Sequence, residues 1–278
     1  MYKKLLVLLI SILLSGILYS QTAKEIAKDA PFALQNGEFV LYFQPICKFD
    51  KKKICGAEVL TRWQNGDKLI PPGKFIPVFE ENGFIKEMDK YVFENTLKHI
   101  NTWQEKGLQI GFISLNLSAL DLEDTELISY FKFLLEQYKT DPKKLIIEIT
   151  ETGEVKDKNK AKEFIFGLKN LGLKVALDDF GDGNADLENL KTYPYDIIKL
   201  SKKMLKTFPE NKKHLKDTIK ELKKFHLPFI AEGIENKAEA KFLKKRGINL
   251  AQGYLFYKPM PAKDFENLLS GKLPKYCL

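Results

Sequence analysis

The 278-residue chain has few of the residues that build disulfide frameworks, zinc sites or imidazole-based catalysis. It contains only three cysteines and three histidines. The sequence has no CxxC pair and no combined His/Cys spacing typical of zinc. His99 and His214 fall in helical patterns and His226 just beyond one, so we expect packing or surface roles for them. Chemistry based on thiols or imidazoles is therefore disfavoured.

One cysteine pair leaves an alternative open. Cys47 and Cys55 flank the lysine-rich turn at 50–53, where they could face each other across a hairpin, whereas Cys277 stands alone. A Cys47–Cys55 disulfide would indicate an exported domain, because such bonds persist in oxidising compartments.

The chain also lacks a long uninterrupted hydrophobic run. Lys3 and Lys4 precede an apolar stretch from Leu5 to Leu18, which is short for a spanning helix of roughly 17 to 25 residues. The stretch also resembles a secretory signal, although Leu18-Tyr19-Ser20 is a poor cleavage site. We expect residues 1–22 to be an uncleaved membrane anchor and residues 23–278 to form the functional domain, with export as the alternative.

The net charge of +8 comes mostly from lysines spread over helical faces, for example at 202–203, 212–213, 223–224 and 244–246. These lysines favour a solvated exterior, and attraction to an anionic lipid or substrate remains open. The sequence has no basic stripe interleaved with aromatic residues, so a nucleic-acid polymer is not an expected partner.

Beyond Pro31 the chain alternates strand and helix patterns. The apolar runs predict eight strands, with a hairpin between the first two: 39–46, 54–60, 113–117, 145–150, 174–178, 197–200, 229–232 and 253–256. One helical face runs from Ala161 to Leu171 and ends at Gly172, and another helix opens with the capping box Asn236/Glu239. An α/β fold follows, a TIM-type (β/α)8 barrel modified by an antiparallel first strand.

Polar residues stand at or near the carboxyl ends of these strands, where the loops of such barrels converge. They are Glu58, Asn116, Glu148, Asp178, Asp179, Lys199 and Glu232, with Gln252 at the start of the last predicted strand. A single acidic residue at a strand end can simply cap the next helix. Five carboxylates offset by one lysine would repel one another unless divalent cations lay between them. All-oxygen ligation favours Mg²⁺ or Mn²⁺ over zinc.

These residues also carry a resemblance to the EAL family of cyclic di-GMP phosphodiesterases. Phe43-Gln44-Pro45 and Gly56-Ala57-Glu58-Val59-Leu60-Thr61-Arg62-Trp63 resemble the opening signature of the family, with Val59 in place of the middle alanine. The other family motifs follow in order: 115–118 (LNLS), 148–151 (EITE), 178–181 (DDFG), 198–199 (IK), 231–235 (AEGIE) and 252–256 (QGYLF). The resemblance spans about residues 35–265.

The resemblance implies a role for each matching residue. Glu58, Asn116, Glu148 and Asp178 would hold one Mg²⁺ or Mn²⁺ ion, and Asp178, Asp179 and Glu232 a second. Lys199, Glu151 and Gln252 would be catalytic, with Lys199 orienting the attacking water. Gln44, Leu60 and Arg62 would contact the dinucleotide, and Glu235 would support the second ion's ligands. The implied reaction is the metal-dependent hydrolysis of cyclic di-GMP to linear pGpG.

The resemblance further implies a homodimer. Because cyclic di-GMP is a cytoplasmic messenger, we expect the domain to lie in the cytoplasm, anchored to a bacterial inner membrane. The chain departs from the family pattern at loop 182–186, which reads Asp-Gly-Asn-Ala-Asp instead of Thr-Gly-Tyr-Ser-Ser. Ser201 replaces an aspartate and can cap the next helix equally well.

Two rival functions remain on the sequence alone. One is a catalytically impaired relative that senses cyclic di-GMP or binds a protein partner. It is motivated by loop 182–186, but all the metal ligands and the lysine are retained. The other is an exported metal-dependent phosphodiesterase or binding protein with another substrate, motivated by the N-terminal stretch. The input signal cannot be read from the sequence.

Overall fold

The structure is a computed structural model that describes residues 22–49, 53–150, 155–181, 186–205 and 208–272. Two compact units are formed. In the described chain one comprises residues 22–40 and 61–88, and the other comprises residues 41–60 and those from 89 onward. The predicted anchor, residues 1–22, lies outside the described residues except for Thr22.

The first unit is small and rich in aromatic residues. It contains helix α1 (residues 22–35), helix α2 (Pro72–Asn82) and the short strand β3 (Lys68–Ile70). The ring of Phe39 lies 5.1 to 5.8 Å from the rings of Trp63, Phe75 and Phe79. The indole of Trp63 donates a hydrogen bond of 3.0 Å to Glu38 Oε2. Aromatic rings at these separations pack favourably beyond the area they bury.

The chain forms a closed barrel of eight strands, most of whose residues belong to the second unit. Its strands are β1 (Phe39–Lys48), β2 (Ile54–Asn65), β4 (Phe112–Leu117), β5 (Leu145–Ile149), β6 (Lys174–Phe180), β7 (Ile197–Leu200), β8 (Phe229–Ala231) and β9 (Leu250–Ala251). Strands β2 and β4 to β9 pair in parallel in that order. Strand β1 pairs with β2 and, antiparallel, with β9, which closes the barrel. The predicted TIM-type barrel with an antiparallel first strand is confirmed.

The helices follow the parallel strands in the expected alternation. They are α3 (Ile85–Glu105), α4 (Thr125–Gln137), α5 (Lys158–Asn170), α6 (Asp186–Thr192), α7 (Lys202–Leu205), α8 (Lys212–Leu222), α9 (Lys237–Lys244) and α10 (Ala262–Leu269). The predicted capping box of α9 is present, with the Asn236 side chain accepting from the backbone of Glu239 at 3.0 Å. Helix α5 ends before Gly172, whose φ of +90° favours glycine.

The barrel interior contains a layer of buried apolar residues: Ile46, Ile146, Ala176, Ile197 and Ile230. Each comes from a different strand. Parallel strands buried on both faces consist of such continuous apolar runs, because neither face meets water. The polar residues at the strand ends lie next to this layer, toward the carboxyl ends of the strands.

The sequence placed the last barrel strand wrongly. Strand β9 is Leu250–Ala251, and residues 253–256, predicted to be that strand, form a turn. The backbone of Gly253 has a φ of +151°, and a Cβ there would lie 2.2 Å from Ile234 N. Only glycine fits this close approach. Two short strands were also not predicted, namely β3 and β10 (Met260–Pro261).

Cys47 and Cys55 form no disulfide with each other in the described residues, so the pairing that the sequence left open is not formed in this structure. Cys47 is buried, and the Cys55 thiol lies 3.6 Å from the carbonyl of Lys53. Within the described residues, no helix is both long enough and apolar enough to cross a membrane.

Candidate active site

Strand periodicity aims the predicted polar residues into one end of the barrel. Side chains two positions apart on a strand point to the same face. Ile146, Ala176 and Ile197 lie in the buried interior layer. Glu148, Asp178 and Lys199 follow them by two residues, so these polar side chains also point inward. In the same way, Glu232 lies two residues after Ile230, and Gln252 lies two residues after Leu250.

Lys199 lies at the centre of this polar cluster, and its side chain is completely buried. Its Nζ lies 2.7 Å from Glu148 Oε2, 2.9 Å from Asp178 Oδ1 and 2.6 Å from Glu232 Oε1. Glu58 Oε2 is 3.8 Å away. An ammonium has three N–H donors, and the three nearest carboxylates match that number. The four strand-end carboxylates are thus held around one cation.

Glu58 connects this cluster to the neighbouring strands. Its Oε1 accepts a hydrogen bond of 3.1 Å from Asn116 Nδ2 on β4. Its Oε2 accepts from Gln252 Nε2, which comes from the loop after β9. Gln252 therefore stands just beyond the end of a barrel strand, as the other site residues do, and the prediction that it begins a strand is wrong.

Asp179 takes an unusual backbone conformation beside Asp178. Its φ is +51°, and the pairing of β6 with β7 is irregular between Leu177 and Phe180. The left-handed region costs a non-glycine residue about 1 to 3 kcal/mol, and such strain is concentrated at functional sites. Carboxylate oxygens of Asp178, Asp179 and Glu232 lie within 4.8 Å of one another. This spacing allows one cation to contact all three residues.

The electrostatics of the cluster favour the uptake of positive charge. Burial raises the pKa of Glu148 well above its usual value, and the surrounding carboxylates add to the rise while Lys199 opposes it. The pKa of Glu232 is raised for the same first reason, burial. Burial alone would lower the pKa of Lys199, but the carboxylates around it outweigh burial and raise this pKa. Protons and cations are therefore both attracted to the cluster.

The donor set fits hard divalent cations. Five carboxylates and the amides of Asn116 and Gln252 surround the site, and the buried atoms Glu148 Oε1 and Gln252 Oε1 have no hydrogen-bond donor among the described residues. Buried oxygens normally have partners, so such exceptions require an explanation. Oxygen ligands of this kind suit Mg²⁺ or Mn²⁺. Five carboxylates against one ammonium leave a formal charge of about −4.

The remaining predicted residues lie in different places. Gln44 on β1 donates a hydrogen bond of 3.1 Å to the carbonyl of Tyr257, and Leu60 on β2 is half-buried. Arg62 belongs to the smaller unit, where its Nη1 donates a hydrogen bond of 2.9 Å to the carbonyl of Thr61. Glu235 is exposed and forms an ion pair with Lys202 rather than with the central cluster. Glu151 and loop residues 182–185 lie outside the described residues.

Sequence reasoning missed the Tyr257 carbonyl that anchors Gln44, and nothing in the sequence indicates a backbone contact of this kind. It also missed the conformation of Asp179, although Gly181 two residues later, with a φ of +100°, is the signal of an irregular strand end. The predicted capping role of Ser201 is confirmed, because its hydroxyl accepts from the backbone N–H of Met204 at 3.4 Å.

Comparison with known proteins adds a family to this geometry. A family model described as EAL domain matches residues 27–259. The signaling protein YkoW of Bacillus subtilis is 33% identical over 241 residues, which cover 85% of this chain and 30% of YkoW. The cyclic di-GMP phosphodiesterase PdeR of Escherichia coli is 33% identical over 238 residues, or 84% of this chain and 36% of PdeR. The chain thus spans about a third of the length of these relatives.

Solved structures agree with the sequence relatives. The structure of PaMucR phosphodiesterase in complex with c-di-GMP superposes with a TM-score of 0.79 at 28% sequence identity, covering 87% of this chain and 99% of that one. The barrel fold is therefore shared with a solved protein of known structure. This chain belongs to the EAL domain family.

Proposed function

We propose that this protein is a cyclic di-GMP phosphodiesterase that opens one phosphodiester bond of the cyclic dinucleotide to give linear pGpG. The observation that carries the proposal is the gathering of five carboxylates, Asn116 and Lys199 at the carboxyl end of one barrel. Membership of the EAL family supports the substrate class, and so do the relatives named for cyclic di-GMP.

The carboxylates would hold two divalent ions. Glu58, Asn116, Glu148 and Asp178 would ligate one, and Asp178, Asp179 and Glu232 the other, with Asp178 shared. Two such ions carry four positive charges, which would balance the formal charge of about −4 in the cluster. When bound, a pair of ions supplies Lewis-acid stabilisation of charge on the phosphoryl oxygens and lowers the pKa of water.

The chain's own residues position the reactants. Lys199 Nζ forms ion pairs of 2.6 to 2.9 Å with three carboxylates in the structure. With those carboxylates engaged as metal ligands, an N–H of Lys199 would be available to orient the attacking water. Gln252 and Glu151 would help to hold that water and its neighbours, while Gln44, Leu60 and Arg62 would contact the dinucleotide. Glu235, which lies outside the carboxylate cluster, would support the ligands of the second ion. The water oxygen bonds to phosphorus, the phosphorus–O3′ bond breaks, and the 3′ oxygen leaves with a proton.

The test is turnover by the purified 278-residue chain. Cyclic di-GMP is incubated with Mg²⁺ or Mn²⁺ and, in parallel, with EDTA, and pGpG is measured by chromatography. We expect product only with the ions. Glu58→Ala and Lys199→Ala should slow turnover at least about 100-fold, since even outer-shell partners of a metal are worth 10- to 100-fold. Glu221→Ala, which removes an exposed carboxylate on α8, should leave the rate unchanged.

The same experiment separates the hydrolase from a sensor. The altered loop 182–186 motivates a protein that binds cyclic di-GMP, or a protein partner, without cleaving the dinucleotide. Saturable binding of cyclic di-GMP with no pGpG over many hours would end the hydrolase proposal and favour the sensor.

We also propose that the chain forms a homodimer and that residues 1–22 attach it to the inner membrane, with the catalytic domain in the cytoplasm. The EAL family membership supports a cytoplasmic site, because the proposed substrate is made there. A reporter fused at Leu278 that is active only outside the cytoplasm would overturn this placement and favour the exported alternative. Light scattering of the purified chain would test the dimer.

A further inference from the structure

A groove between helices α8 and α9 gathers positive charge away from the carboxylate cluster. It encloses about 640 Å³, a size typical of sites for small organic ligands. Six cationic side chains line it: Lys212, Lys213 and Lys216 from α8, and Lys241, Lys245 and Arg246 from α9 and its end. Within the described residues, none of the six has a carboxylate ion pair, whereas Lys98 and Lys224 elsewhere on the surface do.

The floor of the groove is apolar and aromatic. Phe208 and Phe242 line it, with their rings 5.2 Å apart and nearly perpendicular. Phe242 is 7% exposed, so this surface cannot insert into a bilayer as a projecting aromatic residue would. A concave apolar floor below a cationic rim instead suits a small molecule that has both a flat apolar part and several negative charges.

Arg246 is held in position to bind such a molecule. Its guanidinium carbon lies 3.4 Å from the centre of the Phe242 ring, and its Nη1 donates a hydrogen bond of 2.8 Å to the Phe242 carbonyl. Its Nε is buried and has no acceptor among the described residues. A buried donor without an acceptor is costly. Phosphate oxygens are the acceptors that the planar guanidinium binds most specifically.

The start of α8 also lacks the usual anionic complement. A helix N-terminus is electropositive and is stabilised by acidic residues or anions. Helix α8 has no acidic residue in its first turn, which instead carries Lys212 and Lys213. The side chain of its N-cap residue, Asn211, accepts no hydrogen bond from the first turn. Its Nδ2 instead donates a hydrogen bond of 2.7 Å to the Met204 carbonyl. The first turn therefore lacks an anion, and a bound phosphate would supply one.

We propose that the α8/α9 groove is a binding site for a small organic polyphosphate of the nucleoside triphosphate class, separate from the carboxylate cluster. The phosphates would lie among the lysines of both helices and the guanidinium of Arg246. The ring system would stack on the planar guanidinium of Arg246, which itself lies on the Phe242 ring. The proposal does not rest on hydrolysis of cyclic di-GMP, because its ligand and its residues are different.

Calorimetric titration of the 278-residue chain tests the site, in EDTA so that the carboxylate cluster holds no divalent ion, and in about 0.15 M salt so that distant surface charges are screened. The probes are ATP, GTP, inorganic triphosphate and adenosine. We expect saturable 1:1 binding of a nucleoside triphosphate, weaker binding of inorganic triphosphate and no binding of adenosine. Excess cyclic di-GMP should not displace the nucleotide.

A matched pair of variants separates the groove from general charge attraction. Lys241→Glu with Lys245→Glu should weaken nucleotide binding at least about tenfold, because charge-assisted phosphate contacts are lost. Lys237→Glu with Lys244→Glu makes the same charge change on the same helix outside the groove and should leave affinity within about twofold. Arg246→Lys keeps the positive charge but loses the planar guanidinium with its paired N–H donors, so it should also weaken nucleotide binding. Circular dichroism confirms that each variant is folded.

Three results would overturn the proposal. The first is the absence of saturable binding of either nucleotide. The second is an equal loss of affinity in the groove and control variants, which would indicate non-specific attraction to a basic surface. The third is that vesicles containing phosphatidylserine, or an RNA oligomer, bind through the groove residues while nucleotides do not.

Discussion

Replacing Lys199 with methionine should make the folded protein depend on divalent cations for its stability. The change removes the single buried cation that holds Glu148, Asp178 and Glu232 at 2.6 to 2.9 Å. Methionine has a similar length and fills the space, so loss of packing contributes little. The effect should therefore be electrostatic.

The size of the effect follows from the burial of the cluster. Removing one partner of a buried ion pair typically costs about 3 to 5 kcal/mol, because the remaining charge is left uncompensated. For a chain of this size, 1 kcal/mol shifts the Tm by about 2 to 4 °C. Without metal, Lys199→Met should thus lower the Tm by about 6 to 20 °C at pH 8. Bound cations compensate the same carboxylates, so Mn²⁺ should recover most of the loss.

Thermal unfolding followed by circular dichroism, in EDTA and in Mn²⁺, measures both quantities. Lys158→Met is the control, because Lys158 pairs with Glu188 at 3.0 Å on the exposed surface and such pairs contribute little. An equal Tm for Lys199→Met and the unmodified chain in EDTA, with equal shifts on adding Mn²⁺, would refute the reasoning. Lys199 would then not be the charge that balances the cluster.

Three further predictions concern pH, capping and a close backbone approach. Burial raises the pKa of Glu148 and Glu232 above the usual 4.5, so their contribution to stability is full below that pH and is lost as the pH rises through the raised pKa. The Tm in EDTA should therefore fall as the pH rises above 4.5, and it should fall more than in Glu232→Gln; a flat profile would contradict this. Asn236→Ala should cost about 1 kcal/mol, or 2 to 4 °C in Tm, without changing the rate of pGpG formation, and an unchanged Tm would argue against the capping box. Gly253→Ala should give little soluble folded protein in expression trials, because its Cβ would lie 2.2 Å from Ile234 N. Gly73→Ala, with no positive φ and no atom within 4 Å of the added Cβ, should fold.

Much of the site can be predicted from strand patterns. Glu148, Asp178 and Lys199 each end a short apolar run, and in a barrel such ends converge on one face. Their inward direction follows from the two-residue periodicity of strands, without reference to a tertiary contact. For the same local reason the Asn236 capping box and the stop at Gly172 were predicted correctly.

The errors occurred where local pattern and tertiary packing disagree. The run Gly253 to Phe256 has strand-like residues, but a turn forms because Gly253 must pass close to the backbone of Ile234. Intrinsic preference for strands yields to such context. Cys47 and Cys55 show the same limit, since adjacency in a hairpin does not establish a disulfide and the two residues form none in this structure.

The sequence by itself determined which residues would meet at the end of the barrel, because the alternation of side chains and the order of the strands are local properties written along the chain. Only the tertiary structure decided that Lys199 lies among four carboxylates, that Asp179 takes a left-handed conformation, and that Gln252 contacts Glu58 from 194 residues away. The physical reason is that these distances arise from the closure of the barrel, which joins segments whose separation along the chain contains no information about their geometry.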